Sequence, residues 1–448
     1  MRTLNERAVL ERLRHAGAAS RPELALQTGL SKPTVAAALR SLERAGLVRP
    51  AGQRSPGRGR AALVFEHDPT AGYVVGVDIG HSWIRCAVAD LAGGIVGRRD
   101  VRNTARSAST VVTTASDLAR EVAAGAGISW TQVVQTVVGS PGVFDPADGT
   151  LLLASRIRRW GRPGLLEALR RELGEATAVS NDANLAALGE RTFGRGVGVG
   201  TFVYLLVGTG VGMGVVIDGR LHVGHRGAAG EVAYLPLEEA AGSRAPAYGI
   251  RWGTFEETVA AQGVVRTAAE LGMSARLSAL QVFDAARRGG VAAQAAVERE
   301  AERIALIVAA VAAVLDPEVV ILGGGVGGEI DLLREPLERR LHQLTPFRPA
   351  VVGSELDGDA VLLGAVALAV EIAQDQVFQR RPPSAPSGPS SPRAGAGSAR
   401  QERMTSPRSS RSRAAAAAPK TPAALPRDAG TSSGGGARLI RATNSERS

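Results

Sequence analysis

The sequence predicts an α/β protein of two related lobes, preceded by an N-terminal winged helix-turn-helix. Three observations carry that prediction. Two capped helix starts flank a glycine turn between Ser20 and Gly46, and a basic, glycine-rich hairpin follows them. A strand, glycine loop, strand and turn occur in that order from Tyr73 and again from Phe202. Finally, the net charge of +10 is concentrated at the two ends of the 448-residue chain. Residues 1–66 hold 12 Lys/Arg against 5 Asp/Glu, residues 380–448 hold 13 against 3, and the stretch between carries 28 against 35. An acidic body with basic ends assigns a polyanion partner to the ends.

Leu4, Ala8, Val9 and Leu13 recur at helical spacing, and Gly17 closes this first helix. Ser20-Arg21-Pro22-Glu23 reads as a capping box: Ser20 takes the amide at Glu23 and the Glu23 carboxylate reaches back. Pro22 lies in the first turn, where no hydrogen bond is lost. The second helix breaks at Thr28-Gly29-Leu30, and Ser31 caps a third, with Pro33 in its first turn and Val35, Leu39 and Leu42 as its core stripe. In a helix-turn-helix the second helix enters the major groove by its N-terminus. That geometry puts Ser31, Lys32, Pro33 and Thr34 at the groove, Arg40 and Arg44 along the outer face, and Arg21 beside them as a further DNA contact. Leu47-Val48 begins an extended segment, and the loop Arg54–Arg60 (RSPGRGR) precedes Ala62–Phe65. This is a β-hairpin wing, with Arg58 and Arg60 placed for phosphate or minor-groove contact. A plain three-helix packing module would need neither the basic wing nor two capping signals.

Beyond the wing, Tyr73–Ile79 (YVVGVDI) is a buried-strand run ending in Asp78 and Gly80, and Trp83–Leu91 and Ile95–Arg99 follow around the Gly93-Gly94 turn. The repeat runs from Phe202–Val207 through Gly208-Thr209-Gly210-Val211-Gly212 to Val215–Ile217 and the turn Asp218-Gly219. Each glycine loop would let backbone amides approach a phosphate, although tight turns need glycine too. Thr136–Gly142 is a strand ending in a sharp turn. Ala176–Ser180 is another, ending at Asn181-Asp182-Ala183-Asn184 before a helix over Leu185–Glu190. Ligand groups collect at such strand ends in open α/β sheets; the plainer reading is a helix cap by Asp182. Glu318–Leu322 then runs into Gly323-Gly324-Gly325.

Hydrophobic residues make up 44% and charged residues 21% of the chain, as in soluble globular proteins. The longest uncharged apolar run, Ile304–Leu315, is too short to span a bilayer and the N-terminus is charged throughout, so no membrane span or secretory leader is expected and the expected location is cytoplasmic. Cys86 is the single cysteine, which excludes an intrachain disulfide and a cysteine-cluster zinc site. From about Arg380 the chain is rich in Pro, Ser, Ala, Gly and Arg and is expected to be a disordered basic tail, either dispensable or a weak DNA tether. The division expected is therefore 1–66, 67–379 and 380–448.

The order DIG, SPG, NDANLAALGE, GTGVGMG with GHRGAAGE, VVILGGGV and LLGAVALA resembles the ROK family of repressors, open reading frames and kinases. The resemblance spans about residues 3–372, and the N-terminal segment is similar to that of the family's repressor branch. It implies the actin-like, ribonuclease-H-like two-lobed ATPase fold and a homodimer or higher homo-oligomer. It also implies a sugar or sugar phosphate held by Asn181, Asp182, Glu231 and Glu256 (or Glu257 in the alternative register), with Tyr234 beside them. The phosphate loops it implies contain Asp78, Gly80, Ser82, Gly208, Thr209, Gly210, Gly323 and Gly324.

In the family's kinases the aspartate matched by Asp182 is the general base for the sugar hydroxyl, and ATP with Mg2+ supplies the phosphoryl group. A carboxylate in that position suits proton abstraction and plain hydroxyl binding equally well. Two departures separate those roles. His81 stands where the kinases' phosphate loop has its second glycine, and Tyr234 stands where they have a zinc-binding histidine. The Leu237–Arg251 loop also lacks their cysteine cluster, so no zinc is expected. The resemblance thus implies a sugar-responsive repressor that binds operator DNA, with an ATP-dependent sugar kinase retaining a DNA-binding arm as the alternative.

Overall fold

The structure is a computed structural model that describes residues 1–54, 61–105, 107–145, 151–152, 160–161, 164–235 and 256–380. It opens with helix α1 (Arg2–Ala16), strand β1 (Ala19–Ser20), helices α2 (Arg21–Thr28) and α3 (Lys32–Arg44), and strands β2 (Val48–Arg54) and β3 (Ala62–His67). β2 and β3 form the expected antiparallel hairpin, and β1, which the sequence did not signal, adds a third strand beside β3. Gly29 turns the chain between α2 and α3 at φ 69, where a side chain would be strained. Val9, Leu10, Leu13, Leu24, Val35, Leu39, Leu42, Leu47 and Phe65 make the core. Leu4 and Ala8, expected on the apolar stripe, are exposed instead. The buried face of α1 is Glu6, Val9, Leu10 and Leu13, a clean i, i+3, i+4, i+7 set once the aliphatic stem of Glu6 is counted with the apolar residues.

Two five-stranded sheets follow, and they are built alike. In the first, β4 (Tyr73–Ile79), β5 (Trp83–Asp90) and β6 (Ile95–Arg102) run as an antiparallel meander. β7 (Val133–Ser140) and β10 (Thr177–Asn181) join β4 in parallel, giving the order β10-β7-β4-β5-β6. The short pair β8 (Val143–Phe144) and β9 (Leu151–Leu152) lies between them in the chain. In the second sheet, β11 (Phe202–Val207), β12 (Val211–Ile217) and β13 (Arg220–Leu221) form the meander. β14 (Val319–Gly323) and β15 (Ala350–Gly353) are the parallel partners, in the order β13-β12-β11-β14-β15. The repeat seen in the sequence is therefore a repeat of topology. Only Gly208–Gly210 forms the loop of the second copy. Val211 and Gly212, expected in that loop, already belong to β12, because β12 keeps pairing with β11 up to Val207.

Period-two alternation assigns each sheet two packed faces. On the first sheet Val75, Val77, Ile79, Ile84, Cys86 and Val88 face helices α4 (Ala108–Gly125) and α5 (Leu165–Leu173). Val74, Ala87, Ala89 and Val137 face the other way, onto α6 (Asp182–Phe193) and α13 (Ala360–Arg380). On the second sheet Val203, Leu205 and Val207 pack with α7 (Glu256–Val259), α8 (Ala261–Glu270), α9 (Ala279–Arg287), α10 (Val291–Leu315) and α12 (Ile330–Leu344). Phe202, Tyr204 and Ile321 turn towards Ala186 and Ala187 of α6 and Ala360 of α13. The short α11 (Gly324–Gly327) leaves the end of β14. Helices α6 and α13 thus touch both sheets.

Helix α13 is long and apolar, and buried side chains recur along it from Ala360 to Phe378. Its side chains Leu362, Ala365, Val366, Ala369 and Ala373 lie under the first sheet, and Phe378 near its end belongs to the winged-helix core. Burying an aromatic side chain of that size contributes roughly 2–3 kcal/mol.

Candidate functional site

The face expected to read DNA is assembled as its capping signals require. Ser31 Oγ accepts from the Thr34 amide at 3.3 Å, which frees the first turn of α3 to begin in the open. Ser31, Lys32, Pro33, Arg40 and Arg44 are exposed and Thr34 is half-buried. The Ser31 and Thr34 hydroxyls lie 2.8 Å apart and share a hydrogen bond. At the head of α2 the Glu23 carboxylate accepts from the Ser20 amide at 2.7 Å, and the Ser20 hydrogen bonds hold its carboxyl below the usual glutamate range. Arg21 stacks over the Phe65 ring at 5.3 Å, so its guanidinium is held at the edge of the unit. Arg49 differs: Glu66 at 2.8 Å and Asp68 at 3.7 Å already neutralise it. Arg58 and Arg60 of the wing lie outside the described residues.

The second candidate site gathers where β10 ends and α6 begins. The helix starts at Asp182 rather than at Leu185, and its cap is Asn181, not Asp182. Asn181 has extended backbone angles, so its Oδ1 can accept from the Asn184 amide at 3.1 Å while its Nδ2 donates to the Gly142 carbonyl at 3.0 Å. Both polar ends of Asn181 are therefore engaged, and it ties the strand end to the turn after Ser140-Pro141. With the cap assigned to Asn181, the Asp182 carboxylate lies in the first turn of α6, where Oδ1 accepts from the Ala183 amide at 2.8 Å. Close approach fixes its neighbours. A methyl group on Gly214 of β12 would overlap the Ala183 carbonyl, and one on Gly230 would overlap the Met213 carbonyl. Ala183, the neighbour of Asp182, and Gly230, the neighbour of Glu231, are thereby packed on the same stretch of β12, Gly212 to Gly214. Glu231 and Tyr234 bound a single 3-10 turn, and both are half-buried. The side chains of Glu256 and Glu257, the Leu237–Arg251 loop and residues 153–159 lie outside the described set.

The glycine loops separate into two kinds. On the second lobe they meet: a Cβ on Gly208 would sit 3.6 Å from the Gly325 amide nitrogen, and Thr209 is exposed. Gly323 precedes α11, and Gly324 has φ 85. On the first lobe the loop is closed on itself. Gly80 donates to the Trp83 carbonyl at 2.9 Å and accepts from Asn103 Nδ2 at 2.8 Å, while His81 and Ser82 are exposed. Asp78 is 4% exposed, and its carboxylate is paired with Arg85 Nη1 at 2.8 Å. Burial pushes the Asp78 carboxyl up to about 6 although Arg85 pulls it down. Arg85 was missed in the sequence, yet it was findable: the hairpin around Gly80–Ser82 sets it directly opposite Asp78.

These features define a class before any comparison: a winged-helix DNA-binding unit on a two-lobed α/β body with a polar site between glycine-rich strand ends. Residues 74–372 match the ROK family and residues 2–49 the winged helix-turn-helix DNA-binding family. The chain belongs to the ROK family. It is 25% identical over 384 residues to the xylose repressor of Caldicellulosiruptor bescii, covering 83% of this chain and 96% of that one. It is 29% identical over 306 residues to the glucokinase of Halalkalibacterium halodurans, covering 63% and 92%. Among solved structures, a ROK family transcriptional regulator described as a homologue of the E. coli MLC protein superposes with a TM-score of 0.68, at 19% identity, over 84% of this chain and 99% of that one. The glucokinase alignment takes in one part of the architecture, and the repressor alignment is long enough to take in both.

Proposed function

We propose that this chain is a sugar-responsive transcription repressor of carbohydrate uptake or metabolism genes, relieved when a sugar or sugar phosphate enters the site at Asp182. The observation that carries the reading is the exposed, capped N-terminus of α3 on the same chain as a ROK-type polar site. The proposed division is a DNA-binding unit over 1–66, a sensor over 67–379 and a basic tail beyond. The proposed setting is the cytoplasm, with the chain as a homodimer or higher homo-oligomer, since two reading helices must meet half-sites about one helical turn apart.

In this reading Asp182 and Glu231 accept from sugar hydroxyls, Asn181 positions the strand end, and Tyr234 and Glu256 complete the wall. The first-lobe residues do not fit Mg·ATP as they stand. The Asp78 charge is already met by Arg85, and His81 adds bulk where phosphates would approach the backbone. Titration of promoter DNA flanking the coding region, with a panel of sugars and sugar phosphates and with ATP consumption followed in the same samples, tests the proposal. DNA release by a sugar without ATP turnover is expected, and Asp182→Ala should lose both sugar affinity and the release. Retention of both in Asp182→Ala would remove the site assignment.

A second reading, an ATP-dependent sugar kinase with a DNA-binding arm, is supported by the 29% identity to a glucokinase over 306 residues. It requires sugar-dependent ADP release that disappears in Asp182→Asn.

A further inference from the structure

Helix α13 joins three places in the described part of the chain. At its start, the segment leading into it is anchored on Glu190 of α6, a fully buried carboxylate. Glu190 Oε1 accepts from Ser354 Oγ at 2.5 Å and from the Glu355 and Leu356 amides at 3.0 and 3.2 Å, and its Oε2 accepts from the Arg195 amide at 2.7 Å. In its first half it lies against α6 with almost no side chain between them. A methyl group on Gly364 would overlap the Leu185 carbonyl, and one on Gly189 would overlap the Ala360 carbonyl. At its far end Phe378, 6% exposed, enters the core of the winged-helix unit, and Val377 packs against that core. Arg7 Nη2 donates to Asp375 Oδ1 at 2.6 Å, and Arg14 Nη2 donates to the Gln374 carbonyl at 3.3 Å.

We infer that α13 is the strut that transmits occupancy of the Asp182 site to the DNA-reading helices. The inference rests on the sensor reading above and deepens it. Asp182 is the first residue of α6, so a ligand held there bears on the axis of that helix. Where two helix backbones touch at glycines, no flexible side chains absorb a displacement, and α13 must follow α6. A 21-residue helix is a rod of about 30 Å, so a small tilt near its hinge becomes a larger shift at Phe378. There the rod ends in a close-packed core, which moves as a body rather than deforming. The DNA-reading unit therefore takes its pose from α13, and the wing and recognition helix move together.

The test uses the full chain, with hydrogen exchange and operator binding measured with and without D-xylose, D-glucose and N-acetyl-D-glucosamine. A sugar that protects residues 182–193 is expected to change exchange in 372–379 and in 2–16 as well. Phe378→Ala should keep the protection at 182–193, while the sugar-dependent ratio of operator Kd falls from about tenfold or more to within about twofold of one. Protection at 182–193 with unchanged exchange in 372–379 and 2–16 of the unaltered chain overturns the inference, whether or not Phe378→Ala folds. So does a folded Phe378→Ala chain that keeps the full ratio. If none of the three sugars protects 182–193, the choice of ligand site falls first and the inference falls with it. That outcome is distinct, because it is read at the cleft and not at the strut.

Discussion

His67, the last residue of β3, is half-buried within the electrostatic reach of Arg14 and Arg49, which disfavour its charged form, and of Asp68 and Asp90, which favour it. Burial is the main cause that lowers its pKa to about 4, and Arg14 adds to it. The neutral imidazole is the form that fits. Because the folded value lies below the unfolded one, the stability this favours is complete above pH 6.5 and is lost as pH falls through about 4. Exchange protection of the winged-helix core should therefore weaken between those limits, and His67→Asn should flatten that dependence; an equally steep loss in the variant would locate the titration elsewhere. At this scale the sequence was unevenly legible. Local rules exposed Ser20, Glu23 and Ser31, because a cap is a contact between residues three apart. Glu190 and Arg85 were not singled out, since their roles come from partners that only the folded chain brings near. The alternative of a cap by Asp182 stayed open for a different reason: Asn181 and Asp182 both suit the position, and backbone angles chose Asn181.

At the scale of elements, strands and helices were read well wherever apolar residues filled a short run or recurred over several turns, as in β4, β5 and α3. The strand β1 escaped because two residues carry no period. The third helix is the element whose function can be tested in isolation. Lys32 and Arg40 are exposed on α3 and, among the described residues, pair with no carboxylate, unlike Arg49. If they contact phosphates, Lys32→Ala and Arg40→Ala should each lower the slope of log Kd against log salt by about one and weaken all DNA sequences about equally. If one of them instead reads a base, its replacement should cost about 1–3 kcal/mol on the operator alone. Fluorescence anisotropy on operator and scrambled DNA across a salt series distinguishes the two. An unchanged slope with unchanged operator affinity in both variants would take α3 off the DNA.

For the whole molecule, the useful quantity is the coupling between two distant sites. The body between residues 67 and 379 is acidic and the first 66 residues are basic, so DNA approaches one end while a small neutral ligand can reach the cleft without competing for the same charge. Release of DNA by sugar must then be a change of pose or of assembly, and linkage separates these. Within one species, a sugar that weakens operator binding tenfold, about 1.4 kcal/mol, obliges the operator to weaken sugar binding tenfold. Calorimetry of sugar binding to the free and the operator-loaded chain should therefore return the same factor as the DNA titration, at every protein concentration, if the strut tilts the reading heads of an intact oligomer. A factor that grows on dilution would mean that sugar instead divides the oligomer, because dissociation adds a concentration-dependent step to the cycle. The continuous packing from α6 through α13 into the winged-helix core favours the first outcome, for it supplies a path that stays within one chain.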